Sequence, residues 1–144
     1  MFNKPIEKRL ESWIDHRRNL DNSDDPLQDT WDLWHTAPFV PYNQKIDPHH
    51  SRSWPSPWEI IAENKYDDFT RALMIGWTLK MTQKFRDSTI EIKTLIDNER
   101  NRQYNIVCVD NTWVINYSDV GPVAADSISR SFRLENLIEL SPPR

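Results

Sequence analysis

The chain has 144 residues, a formal net charge of −4 and a charged fraction of 28%. This length suits one domain able to bury a core, and the acid excess argues against the broad basic footprint of a nucleic-acid binder. The hydrophobic fraction of 38% is too high for a disordered chain. Short basic clusters at His16-Arg17-Arg18 and Arg100-Asn101-Arg102 have acidic neighbours and read as solvated faces. No apolar run approaches the roughly 18–20 residues of a membrane span, and the first residues lack the apolar stretch of a secretory signal. A soluble protein made in the cytoplasm, without nucleic-acid or membrane partners, is the expectation.

Residues 1–36 read as a helical arm. Ile6, Leu10, Trp13, Ile14, Arg17 and Leu20 recur at helical spacing over residues 4–20, with Pro5 acceptable in the first turn. Asp21-Asn22-Ser23-Asp24 stops that helix. Asp25-Pro26, a cap followed by proline, starts a second helix to about His35, with Leu27, Thr30, Trp31 and Trp34 as its stripe. Residues 37–56 carry Pro38, Pro41, Pro48 and Pro55, which favour an extended, irregular connection. A loop this long with its own aromatic residues suggests a partner surface.

The central helical segment covers residues 57–82. Ser56, Pro57 and Glu59 form a capping box with proline at the first helical position. Glu63-Asn64-Lys65 breaks the helix, which restarts near Tyr66 with Asp67 and Asp68 in its first turn. Phe69, Leu73, Trp77 and Lys80 follow at helical spacing, with Ala72, Ile75 and Leu79 widening the apolar face. Residues 89–117 change to strand periodicity. The runs Thr89–Ile96, Tyr104–Val109 and Thr112–Tyr117 read as a three-stranded antiparallel meander, with an Asp110-Asn111 turn and Trp113, Ile115 and Tyr117 on one face. Residues 123–144 read as a short helix within Ser127–Leu140 and an extended Ser-Pro-Pro-Arg tail. The expected fold is α+β: N-terminal helices and a central helix packed on the meander.

Chemistry-bearing patterns are sparse. The two glycines, Gly76 and Gly121, exclude a Gly-rich phosphate loop. His35, Asp47, His49 and His50 are the most metal-like group, but adjacent histidines point apart and the cluster reads as a surface loop. Asp67-Asp68 suits the helix dipole better than acid–base work. Cys108 sits mid-strand between Val107 and Val109, in phase with Tyr104 and Ile106, the place of an inert thiol. No catalytic, cofactor or metal residue is therefore assigned. Seven tryptophans, six of them in the first 77 residues, point either to an aromatic core or to interfaces. Trp13, Trp34, Phe39, Tyr42, Trp54 and Trp58 are the candidate interface residues. Trp13 suits the chain's own core and a neighbouring subunit equally well.

Two resemblances bear on these patterns. A helix following the polar break at Asn64-Lys65-Tyr66-Asp67-Asp68-Phe69, then strands at Tyr104–Val109 and Trp113–Tyr117, resembles the core of the transglutaminase-like (papain-like) cysteine superfamily. That resemblance implies a cysteine near Tyr66 or Asp67, a histidine on the following strands and an acid beyond. Here no cysteine opens the helix, no histidine lies in the strands, and Asn116 or Asp119 is the only relic of the acid, so it implies fold alone. The runs LESWIDHRRNL, DLWHTAPFVPY, WPSPWEII, DDFTRALMIGWTLKMT and WVINYSD, spread from about Leu10 to Val120, are similar to small proteins of contractile-tailed bacteriophages. This second resemblance implies a non-enzymatic virion or assembly subunit, built in the host cytoplasm and partnered by other phage structural proteins in a homo- or hetero-oligomer. The alternatives are a cysteine-less hydrolase using Asp67, Asp68 and a loop histidine, a metal-dependent enzyme using His49 or His50, and a phage protein that binds a host target.

Overall fold

Among the described residues, three of the four α-helices begin where a side chain can accept an orphan backbone N–H. Helix α1 (Ile6–Leu20) follows Pro5 without such a cap, whereas Asp25 caps α2 (Pro26–Trp34). Ser56 and Glu59 form the complete capping box of α3 (Pro57–Glu63), which Asn64 ends at φ 61°. Asp67 caps α4 (Asp68–Lys80) by accepting the Thr70 N–H. The computed structural model describes residues 1–143. The strands are β1 (Ile90–Asp97), β2 (Arg102–Val109), β3 (Trp113–Ser118), β4 (Gly121–Ala124) and β5 (Arg133–Glu139).

The expected three-stranded meander is corrected to a five-stranded antiparallel sheet in the order β4-β3-β2-β1-β5. The three runs read as strands are its middle members. The helix expected within Ser127–Leu140 is instead β5, an edge strand beside β1. The reason is a bulge. Thr94 faces Asn136 but Leu95 faces Leu134, so Glu135 is skipped. Leu134 and Leu137 therefore share a face three residues apart, a spacing that mimics a helix. A second irregularity sits in β3, where Asn116 has φ 70°. It breaks the expected grouping of Trp113, Ile115 and Tyr117. Ile115 stays in the main core, while Tyr117 packs with Tyr104 and Phe132 on the other side of the sheet. The turn before β3 is as expected in kind: Asp110 and Asn111 both take positive φ, and the Thr112 N–H donates to the Val109 carbonyl at 3.0 Å.

Helix α4 is the centre of the molecule. Every residue from Phe69 to Leu79 except Arg71 is buried. Helix α2 lies against it on one side, where α1 reaches it through Trp13, and the sheet lies on the other, and all contribute to one apolar cluster. A smaller cluster of Leu95, Tyr104, Ile106, Cys108 and Val114 fills the far face of the sheet, covered by Val123, Ala125, Ile128 and Phe132. Phe2 closes the main core from the N-terminal end, against Trp34 and Tyr66, with its carbonyl held by Asn64.

Thr78 keys the helices together. Its Oγ1 accepts the indole N–H of Trp13 from α1 at 3.0 Å and that of Trp34 from α2 at 3.1 Å, and donates to the Met74 carbonyl. Trp13 and Trp34, two of the candidate interface residues, are thus wholly enclosed within the chain, with their polar atoms satisfied there. Replacing Thr78 by valine would strand two buried donors, each costing about 1–3 kcal/mol. Thr78→Val should lower stability by about 2–6 kcal/mol in chemical denaturation, and Thr78→Ser, which keeps the hydroxyl, should restore most of that.

Gly76 marks a close approach. A Cβ there would lie 2.3 Å from a methyl carbon of Leu140, just beyond β5. Gly76→Ala should destabilise the wild type, because the overpacking cost of about 1–3 kcal/mol exceeds the helix-propensity gain of about 1. In a Leu140→Ala background the same change should stabilise. A double-mutant cycle reads that change of sign.

Candidate functional site

The ladder from β2 to β3 ends at Val107–Ile115. Beyond it, Asn116 in its positive-φ conformation turns its side chain toward the start of α4. Its amide donates to the Asn105 carbonyl at 2.8 Å, standing in for a strand hydrogen bond, and reaches Asp68 Oδ1 at 3.3 Å. Asn105 Nδ2 donates to Asp68 Oδ2 at 2.9 Å, and Thr94 Oγ1 donates to Asn105 Oδ1. Arg71, one turn along α4, donates through Nε to Asn116 Oδ1 at 2.9 Å and pairs with Asp68 across 3.5 Å. Its guanidinium lies over the Trp31 ring at 5.3 Å. Asn105 and Asn116 are only 4% and 7% exposed, so this polar knot is built into the protein rather than displayed on it.

A cleft of about 340 Å³ opens above the knot. Trp31, Phe39, Tyr104 and Tyr117 supply its aromatic walls, and Arg102, Gln103 and Asp119 its mouth. Arg102 rides on the Tyr104 ring at 4.6 Å. The start of α4, β2 and β3 meet at the floor of this cleft. The side chains converging there are Asp68, Asn105 and Asn116. Asp67 is the cap just outside the helix. Its other carboxylate oxygen, Oδ2, accepts the Asn43 N–H and ties down the proline loop. Asp68 accepts from two carboxamides and pairs with a guanidinium. No thiol or imidazole lines the cleft. Asp119 is reached only through its carbonyl, which accepts from Trp31.

The other residues singled out in the sequence are dispersed. Phe39 and Tyr42 are 67% and 75% exposed, yet their loop is fixed. The Val40 N–H donates to the Tyr66 carbonyl and the Tyr66 N–H to the Pro38 carbonyl, forming a short parallel bridge. Trp54 is half-buried between Phe69 and Trp77, with its indole N–H on the Asp47 carbonyl. Trp58 is 39% exposed and packs edge-on to the buried Trp13. Asp47 pairs with His50 at 2.6 Å, and the His49 N–H, followed by His50, holds its carboxyl below the usual range. His35 lies away from them, stacked on Trp31. Among the described residues no group of three His, Cys, Asp or Glu is placed to hold a metal ion. Likewise no helix there is long and apolar enough to cross a membrane. Cys108 is 4% exposed, and burial pushes its thiol pKa up.

Asn105 escaped the sequence reading, while Asn116 entered it only as the relic of an acid and Arg102 only as part of a solvated basic cluster. The available signal was a carboxamide in the middle of each of two apolar strands, Tyr104-Asn105-Ile106 and Ile115-Asn116-Tyr117. Comparison with protein-family models, curated proteins and solved structures gave no match for this chain.

His16 lines a separate cavity of about 410 Å³ between α1 and α2, together with Asp29 and Asp32. Burial lowers its pKa below 6.5, and Asp29 opposes that only in part. The unfolded imidazole therefore takes a proton at a higher pH than the folded one, and stability falls as pH drops through and below 6.5. Denaturation between pH 7.5 and 5.5 should show the wild type losing stability relative to His16→Gln over that window.

Proposed function

We propose that this protein is a non-enzymatic subunit that works through protein–protein contacts. On its sequence resemblance, we assign it to the particle or the assembly line of a contractile-tailed bacteriophage. The observation that carries the docking reading is the presentation of Phe39 and Tyr42. Two large aromatic side chains stand in solvent on a loop that is otherwise immobilised. Prolines flank them, the bridge to Tyr66 holds one end, and the Asp67 carboxylate holds Asn43 at the other. Anchors fixed in advance lose little entropy on binding, and exposed aromatic residues of this kind dominate interface energies.

The polar knot supports the non-enzymatic part of this reading. Its members spend their hydrogen bonds on one another, and Cys108 lies buried on the far side of the sheet. A degenerate transglutaminase-like scaffold accounts for the stations these residues occupy, with the cleft retained and the nucleophile replaced.

Mass spectrometry of purified particles should find the protein at a fixed copy number relative to the major capsid protein. The double variant Phe39→Ala/Tyr42→Ala should fold normally, since both side chains are exposed, yet lose at least tenfold in incorporation. Wild-type incorporation of that variant would refute these anchors, and absence of the native protein from particles and from assembly intermediates would refute the subunit assignment.

A further inference from the structure

Strand β2 is partnered unequally on its two sides. Its ladder to β1 runs the full length from Arg102 to Val109, whereas its ladder to β3 covers only Val107–Val109. The Asp110 N–H donates to Thr89 on the β1 side, and the Val109 carbonyl accepts from Thr112 on the β3 side. Backbone direction alternates along a strand, so Gln103 and Asn105 turn their N–H and C=O groups toward β3. The Asn105 carbonyl is met by the Asn116 side chain. Gln103, two residues nearer the mouth of the cleft, has no strand across from it.

Charge at the same mouth is unspent. Asp68 and Arg71 neutralise each other on the floor. Arg102 lies flat on Tyr104 and, among the described residues, has no acidic partner. Phe39 lines the same cleft with two thirds of its surface bare. A free backbone edge, an unpaired guanidinium and an exposed aromatic side chain together match the way an extended peptide is bound: main-chain hydrogen bonds give affinity and side-chain contacts give selectivity.

We propose that the cleft receives an extended segment of a partner protein, which lays its backbone along Gln103 and places an acidic side chain on Arg102. This rests on the docking reading above and names the chemistry of the partner. The carboxylate would pair bidentately with the guanidinium, and Asp119 across the mouth would repel a second acid and so fix the direction of the segment.

The test is selection of a random peptide display library on the immobilised full chain, wild type beside Arg102→Glu. The wild type should enrich peptides with a common Asp or Glu, and these should bind Arg102→Glu at least tenfold more weakly. The variant should instead enrich Lys or Arg at that position, and the Gln103 amide should shift when the selected peptide is titrated in an NMR experiment. Failure to enrich, a consensus unchanged by Arg102→Glu, or an unmoved Gln103 amide would overturn the proposal. If Phe39→Ala/Tyr42→Ala blocks incorporation while Arg102→Glu particles are normal, the docking reading stands and this inference falls.

Discussion

One hydroxyl sets the mutual positions of three helices. Thr78 lies deep in α4 and takes an indole N–H from α1 and another from α2. Burying two tryptophans is strongly favourable only if both polar atoms find partners, and a single acceptor with two lone pairs meets that need. The constraint is geometric as well as energetic. Each indole must approach the same oxygen from a different direction, which leaves the two outer helices little freedom to slide. The tryptophans in turn seat Phe2 and Trp58, so the N-terminal part of the molecule inherits its arrangement from this contact.

On the opposite side of α4 the organising device is a departure from regularity. Asn116 adopts a backbone conformation that an apolar β-branched residue would resist. It thereby sends Tyr117 to the far face and its own carboxamide to the head of α4. The cleft exists because the β2–β3 ladder stops there. The strand irregularity, the polar knot and the aromatic walls are consequences of one residue, and the same residue supplies the hydrogen bond that the interrupted ladder lacks.

Much of the architecture was legible in the sequence where local chemistry decides it. Ser56 with Glu59, Asp25 with Pro26, and Asp110 with Asn111 each announced a boundary, because the side chain that solves the backbone's problem is adjacent to it. The last strand was illegible because the skipped Glu135 gives Leu134 and Leu137 a helical spacing. The site was illegible for a different reason. Asp68, Asn105 and Asn116 are separated by tens of residues, and each alone reads as a polar intrusion in an apolar stretch. The tryptophans show the limit of composition as a guide. Trp13 and Trp34 are core and Trp58 is half in solvent, and only the location of an acceptor such as Thr78 separates them.

The pairing of β5 with β1 gives the end of the chain an importance that its Ser-Pro-Pro tail conceals. Leu140 rests on Gly76 in the middle of α4, and Ile138 packs against the same core. A nick after Ser131 would therefore do more than trim a terminus. Loss of β5 after such a nick would uncover the main core and bare the edge of β1, whose Ile90, Ile92 and Ile96 alternate on one face. Such an edge is a template for other chains. The exposed Ser129–Ser131 turn is thus the short connection through which β5 is delivered to the edge of β1.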